Sequence, residues 1–428
     1  MSRFKKVLIL PIVILLIIIT SCNDDTQEEE LSVPAAAGKD SSTEDENLDE
    51  IINPPGTETP AASQNPAPVP EILPEPQEPE YLTVKACAAG DNLIHSPIYN
   101  QAARRAGEEG GYNFLPAYEN VTDIIAGYEL AMLNQETLIC NDIKEPSNYP
   151  YFNSPAALGD FMLNMGFNVF SIANNHTLDQ GVTGLETCLD YWRIREKEHE
   201  AVVVGAYYNK EDRANIRTKE INGIIFSFLS YTEHLNGLIL PSDSALEIGD
   251  SKNLDIVTAE IKKAKEISDV CVVFLHWGSE NYDQIENYQR IAAKQMADAG
   301  ADVILGTHPH VLRDIELIER EDSTQTLCAY SLGNFISAQN IPQTMIGGIL
   351  SFEVVMNSET REIEINMIQL NPTITHYDHS YGFVRIYPLS EYNENLAVSH
   401  GVREFGVFSL NYIHDILSKN ISSKWLSK

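Results

Sequence analysis

From Leu82 onward, short apolar runs alternate with stretches whose apolar residues recur at helical spacing. The strand-like runs are Leu82 to Ala88, Glu129 to Leu133, Val169 to Ile172, Ala201 to Val204, Ile224 to Leu229, Val270 to Leu275, Val303 to Leu305 and Thr326 to Ser331. Amphipathic helices are predicted at Ala156 to Met165, Gly184 to Lys197, Leu254 to Ser268 and Tyr288 to Ala299. Such alternation predicts an α/β layered domain. Beyond Gly347 the pattern becomes strand-rich, with Gly348 to Val355 and Glu362 to Leu370 before a terminal helix near Leu410 to Lys419. Residues 341–428 therefore read as a C-terminal extension that completes the domain of residues 81–340, with a small second domain as the alternative.

The first 80 residues follow neither period. Arg3, Lys5 and Lys6 precede an apolar run from Val7 to Ile19, which is short for a membrane span and fits the core of a signal peptide. The order Ile19-Thr20-Ser21-Cys22 resembles a bacterial lipobox, which predicts cleavage before Cys22 and a lipid on its sulfur. An uncleaved membrane anchor is the alternative. Either reading predicts an extracytoplasmic protein held at the membrane on the bacterial surface. Residues 23–80 hold sixteen acidic residues, ten prolines, one lysine and no aromatic residue, too little apolar surface to offset the entropy of ordering. They read as an extended, self-repelling tether.

Charge narrows the partners. Removing the −15 of the tether and the +3 of the leader from the total of −33 leaves −21 on residues 81–428. A nucleic-acid partner needs a basic footprint and is excluded on that ground. Cys22 aside, Cys87, Cys140, Cys188, Cys271 and Cys328 show no regular spacing, and three of them sit in apolar runs. Buried free thiols are expected, not a disulfide frame or a cysteine metal site.

Polar residues able to hold a metal follow the strands one after another. Asp91 and His95 follow the first, Glu136 the second, and Asn174, Asn175, His176 and Asp179 the third. His276 and Glu280 follow the Val270 run, and His308 and His310 follow Gly306. Two histidines separated by one residue of extended backbone point the same way and can reach one point. Taken singly, each piece has an ordinary explanation: a Gly-Asp turn, an Asn helix cap, a core histidine beside Trp277, a solvated Glu136. Together they form a complete set, and strand ends that converge on one crevice would bring it together. Nitrogen and oxygen donors without thiolates suit manganese, iron or zinc, and a shared carboxylate can bridge two ions.

These pieces, in this order, resemble the CapA family of poly-γ-glutamate capsule biosynthesis proteins, whose domain is similar to the calcineurin-like metallophosphoesterases. The matching segments are AGDNLIH, LNQETLI, SIANNHTLDQG, SYTEHLNG, FLHWGSENY, GADVILGTHPHV and YSLGNFI, between residues 81 and 340. The resemblance implies a four-layered αββα sandwich and two divalent metal ions. By the same carry-over Asp91 and His310 serve the first ion, Asn175, His276 and His308 the second, Glu136 bridges them, and His176 donates a proton. Further candidates are His95, Asn174, Asp179 and Glu280. Two departures stand out: the usual Asp-x-His reads Asp91-Asn92-Leu93, and Glu136 replaces the usual aspartate. The implied function is either a metal-dependent hydrolase acting on a phosphoester or related envelope bond, or a non-catalytic accessory that grips anionic poly-γ-glutamate through the metals. Capsule synthase and export subunits are the implied protein partners. A transporter's substrate-binding lipoprotein is a third reading, disfavoured by the paired histidines and the Asn-Asn-His run.

Overall fold

Each apolar run named above lies within or largely within a strand. A computed structural model describes residues 80–427. The leader, Cys22 and nearly all of the acidic tether lie outside the described residues. The strands are β1 (Tyr81–Asn92), β2 (Leu130–Asn134), β3 (Val169–Ser171), β4 (Val202–Val204), β5 (Ala206–Tyr207), β6 (Arg217–Ile221), β7 (Ile224–Thr232), β8 (Glu247–Ile248), β9 (Val270–His276), β10 (Val303–Thr307), β11 (Leu312–Glu319), β12 (Gln325–Leu332), β13 (Asn334–Ile336), β14 (Ile346–Asn357), β15 (Ile363–Asp378) and β16 (Gly382–Pro388). The helices are α1 (Ser96–Ala106), α2 (Leu115–Ile125), α3 (Ala156–Met165), α4 (Gly181–His199), α5 (Lys210–Ala214), α6 (Leu254–Lys265), α7 (Asn287–Asp298), α8 (Glu394–Ser399) and α9 (Leu410–Asn420).

Two large sheets result. The first runs β16-β15-β14-β1-β2-β3-β4 with β13 beside the end of β1, and the second runs β11-β12-β10-β9-β7-β6. Strands β1 to β4 are parallel, as are β7, β9, β10 and β12, and apart from residues 81–83, Lys85, Ile225 and Gln325 they are buried on both faces, hence their near-continuous apolar text. The chain beyond residue 341 adds β14, β15 and β16 antiparallel to the β1 side of the first sheet.

Alternation along the second sheet assigns the layers. Leu229, Tyr231, Val273, Leu275 and Ile304 pack with Val257 and Ile261 of α6 and with Ala293 and Met296 of α7. Their neighbours Phe226, Phe228, Val272, Phe274, Val303 and Leu305 face the other way, into the core shared with the first sheet. There β1 meets β10 and β12. Helices α1 and α2 lie against β16, and α3 packs between α2 and α4, which covers β4. The fully buried Trp192 of α4 lies tilted against Phe170 of β3, ring centroids 4.7 Å apart; an aromatic pair of this kind adds about 0.5–1.5 kcal/mol beyond area burial. The architecture is the αββα sandwich that the resemblance implied.

Local signals explain where the helices stop and start. Gly166 ends α3 with φ 115°, a left-handed cap that L side chains resist. Asn253 caps α6, and Glu286 with Gln289 forms a capping box at α7. Cys87, Cys140, Cys188, Cys271 and Cys328 are all buried free thiols.

Candidate metal centre

The parallel strands of both sheets end level with one another. Asp91 pairs in register with Asn134, and Asn134 with Ser171; across the sandwich Thr232 is level with His276 and His276 with Thr307. The converging ends therefore belong to two facing sheets, β1 to β3 in one and β7, β9 and β10 in the other. Close packing keeps the ends together. A Cβ on Gly90 would sit 1.9 Å from the Gly333 carbonyl oxygen, and one on Gly306 would sit 2.1 Å from that of Tyr330.

At this junction two donor triads form, Asp91–Glu136–His310 and Glu136–His276–His308, with the donor atoms of each within 4.8 Å of one another. All five residues are buried. Glu136 is common to both. Its Oε1 lies 3.5 Å from His276 Nε2 and its Oε2 3.7 Å from His310 Nδ1, so each oxygen faces one triad. Both distances are too long for hydrogen bonds, and neither oxygen has a partner among the described residues. Burial first, then the Asp91 carboxylate, pushes the Glu136 carboxyl well above its ordinary range. A buried carboxylate left unsatisfied on both oxygens is costly by itself, and a bound cation would offset that cost.

Two of the imidazoles, His276 and His308, are held in the neutral form. Burial, then the neighbouring His308 and His310, holds His276 well below the ordinary histidine range, so its contacts to carboxylates are not ion pairs. Burial and His310 do the same to His308. His276 Nδ1 faces the Thr307 hydroxyl at 3.0 Å, which turns Nε2 toward Glu136, Asn175 Oδ1 (2.9 Å) and His308 Nδ1 (3.0 Å). Asn175 thus joins the second triad. On the other side, His310 Nδ1 lies 3.0 Å from Asp91 Oδ2.

The reach of the histidine pair needs a correction. His308 and His310 do not lie on extended backbone: β10 ends at Thr307, and the two residues have φ of 95° and 58°. Left-handed turns at non-glycine residues cost roughly 1–2 kcal/mol each, and the structure accepts them to aim both rings inward. Their centroids stand 6.0 Å apart, one ring for each triad.

The remaining candidates divide. His176 Nδ1 lies 2.7 Å from Asp179 Oδ2, and the other demand on that oxygen is the Phe152 N–H, also at 2.7 Å. Asn174 accepts from the His176 N–H at 3.0 Å and donates to the Gln135 carbonyl at 3.0 Å, so it braces the turn after β3. His95 is close by but its Nδ1 accepts from the Ala338 N–H at 3.2 Å, and burial lowers its pKa to about 4. Glu280 is exposed on the loop after β9 and belongs to neither triad. Asn92, which stands beside Asp91, turns instead to Gln135 and the Tyr118 hydroxyl, each at 2.8 Å.

Three contributors were absent from the sequence-based set. Asn134 Nδ2 donates to Asp91 Oδ1 at 2.7 Å, Asn334 Oδ1 lies 3.0 Å from His310 Nδ1, and His234 Nε2 lies 3.2 Å from His308 Nε2. Each occupies the same kind of strand-end position as the chosen residues, and that placement was the available signal.

The strand ends of the layered α/β sandwich thus carry a buried group of carboxylate, amide and imidazole side chains that could hold metal. The bacterial capsule synthesis protein PGA_cap family matches residues 85–339, more than half of the chain, and the chain belongs to that family. It is similar to the PGA biosynthesis protein CapA of Bacillus subtilis strain 168, with 31% identity over 218 residues, 48% of this chain and 52% of that protein. The capsule biosynthesis protein CapA of Bacillus anthracis is 33% identical over 194 residues, 44% of each chain. The chain thus spans about half the length of the curated relatives it matches. Among solved structures, a novel phosphatase from Mycoplasma pneumoniae aligns over 67% of this chain and 94% of its own, with a TM-score of 0.41 and 12% identity.

Proposed function

We propose that this is a surface-anchored protein of poly-γ-glutamate capsule synthesis or export, and that it hydrolyses a phosphoester or related bond in an envelope polymer at a two-ion centre. The observation that carries the reading is Glu136, buried with both oxygens unpartnered, one toward each triad. Asp91, Glu136 and His310 would hold one ion, and Glu136, Asn175, His276 and His308 the other. Two divalent ions, manganese, iron or zinc, would supply an activated water and charge stabilisation at the reacting centre.

The chain's own residues complete the chemistry. Asp179 holds His176 through Nδ1 and leaves Nε2 to give a proton to the departing oxygen. The Phe152 ring stands edge-on to His176, centroids 4.7 Å apart, and limits water around it. Anchoring through a lipid on Cys22 would keep the centre outside the cytoplasm on its acidic tether, near capsule synthase and export subunits.

One observation favours an accessory role. Where the phosphoesterase pattern has the histidine of Asp-x-His, Leu93 stands buried and offers no donor, so the first half of the centre is one ligand short. In that role the ions would clamp carboxylates of poly-γ-glutamate, which a domain of charge −21 otherwise repels. Metal content and cleavage of phosphomonoester and phosphodiester substrates with Mn²⁺ separate the two, wild type against the His308→Ala, His310→Ala double variant. Cleavage lost in the variant supports the hydrolase; metal without cleavage supports the accessory; no metal in the wild type removes the centre.

A further inference from the structure

The loop after β7 reaches the second half of the centre from outside. His308 turns Nδ1 inward, toward His276 Nε2 at 3.0 Å, and its outward Nε2 meets His234 Nε2 at 3.2 Å. Two residues later Asn236 Oδ1 accepts from Asn175 Nδ2 at 3.2 Å, on the side away from Asn175 Oδ1, which lies 2.9 Å from His276 Nε2. One short loop thus touches the outward atom of two neighbouring donors.

Each contact settles which atom faces in. An asparagine binds a cation through its oxygen, and a flipped amide would present an NH₂ instead. The Asn236 carbonyl accepts only a donor, so Nδ2 of Asn175 stays outside and Oδ1 stays inside. When His308 Nδ1 serves as a ligand, its ring proton sits on Nε2, and His234 Nε2 is placed to accept it. The Asn236 N–H, 3.5 Å from His234 Nδ1, is too far to dictate the opposite tautomer.

The loop is itself anchored on β9. The Glu233 N–H donates to the His276 carbonyl at 3.1 Å, and the Glu233 carboxylate accepts from the Gly278 N–H and the Tyr288 hydroxyl, each at 2.9 Å. Asn236 and Gly237 then turn the chain with φ of 50° and 78°, values that suit these two residue types.

We propose that His234 and Asn236 are positioning residues for the second half of the centre, fixing His308 Nδ1 and Asn175 Oδ1 inward. The proposal rests on the two-ion reading. The test is calorimetric titration of Mn²⁺ into the metal-stripped full chain, as wild type, His234→Ala, Asn236→Ala and His234→Gln. The expected result is two ions on the wild type, and in each alanine variant one ion weakened about 10–100-fold with the other unchanged. His234→Gln, whose side-chain oxygen can still accept, should recover part of the loss, and the metal-free melting temperatures should coincide. Alanine variants that load like a two-ion wild type overturn this proposal alone. Equal weakening of both ions together with a lowered metal-free melting temperature also overturns it, since that marks a merely structural role. A wild type that takes up no Mn²⁺ removes the two-ion reading and this proposal with it.

Discussion

Replacing Glu136 by glutamine should change stability in opposite directions with and without metal. In the metal-free protein the Glu136 and Asp91 carboxyl groups have ligand oxygens within 4.8 Å, both groups are buried, and Glu136 has no hydrogen-bond partner. Two full charges at that separation repel by about 3 kcal/mol at an effective dielectric near 20. Burial and Asp91 raise the Glu136 pKa, so relieving the repulsion means taking up a proton, which is also unfavourable. Glutamine keeps the shape and removes the charge. Metal-free Glu136→Gln should therefore be more stable than wild type by up to about 3 kcal/mol. In Mn²⁺ the order should reverse, because the variant has lost the carboxylate shared by both triads. Thermal melts at pH 7.5 in chelator and in excess Mn²⁺ read both arms. A variant that is destabilised equally in both would show that Glu136 supports the fold and not ions, and the reasoning would fail.

Three further outcomes follow from other residues. His176→Ala should lower turnover by roughly 10²–10⁴ while metal content, measured by elemental analysis, stays at the wild-type value; a matching loss of metal would contradict the proton-donor role. Gly90→Ala should cost about 1–3 kcal/mol or more in urea unfolding, since the new Cβ would meet the Gly333 carbonyl oxygen at 1.9 Å, and an unchanged midpoint would refute the close packing. His400 is buried, donates through Nε2 to the Thr375 carbonyl, accepts the Val402 N–H at Nδ1, and has its pKa lowered from 6.5 to about 3, chiefly by burial. The unfolded chain then takes up a proton that the folded one refuses, so the contribution of His400 is present above pH 6.5 and shrinks by up to about 1.4 kcal/mol per unit as pH falls toward 3. The stability gap between wild type and His400→Gln should narrow over that range, and a gap independent of pH would contradict it.

The central strands were legible because a strand buried on both faces needs an unbroken apolar run, as Val270 to Leu275 shows. Helices α1 and α2 were not, since Pro97 and Pro116 open them and only four residues of each are buried. Strand β11 hid behind a buried arginine, Arg313, whose guanidinium is met by Gln289 and by the Tyr282 and Ser279 carbonyls. In the candidate site, residue types and their order could be read from strand ends, and the side chains of Asp91, Glu136, Asn175, His276, His308 and His310 lie together there. Orientation could not: the left-handed turns at His308 and His310 and the outer contacts from Asn134, His234 and Asn334 depend on neighbours distant in sequence. Glu280 misled because proximity to His276 in sequence does not place a loop carboxylate inside the junction.

The central claim is a centre of two ions joined by Glu136. Electron paramagnetic resonance of the full chain loaded with Mn²⁺ tests it most directly, alongside metal quantification. Two ions per chain with an exchange-coupled signal, as expected for a pair about 3.5–4 Å apart, and collapse of that coupling in Glu136→Gln are the predicted results. A single uncoupled ion, or coupling that survives in Glu136→Gln, would contradict the account.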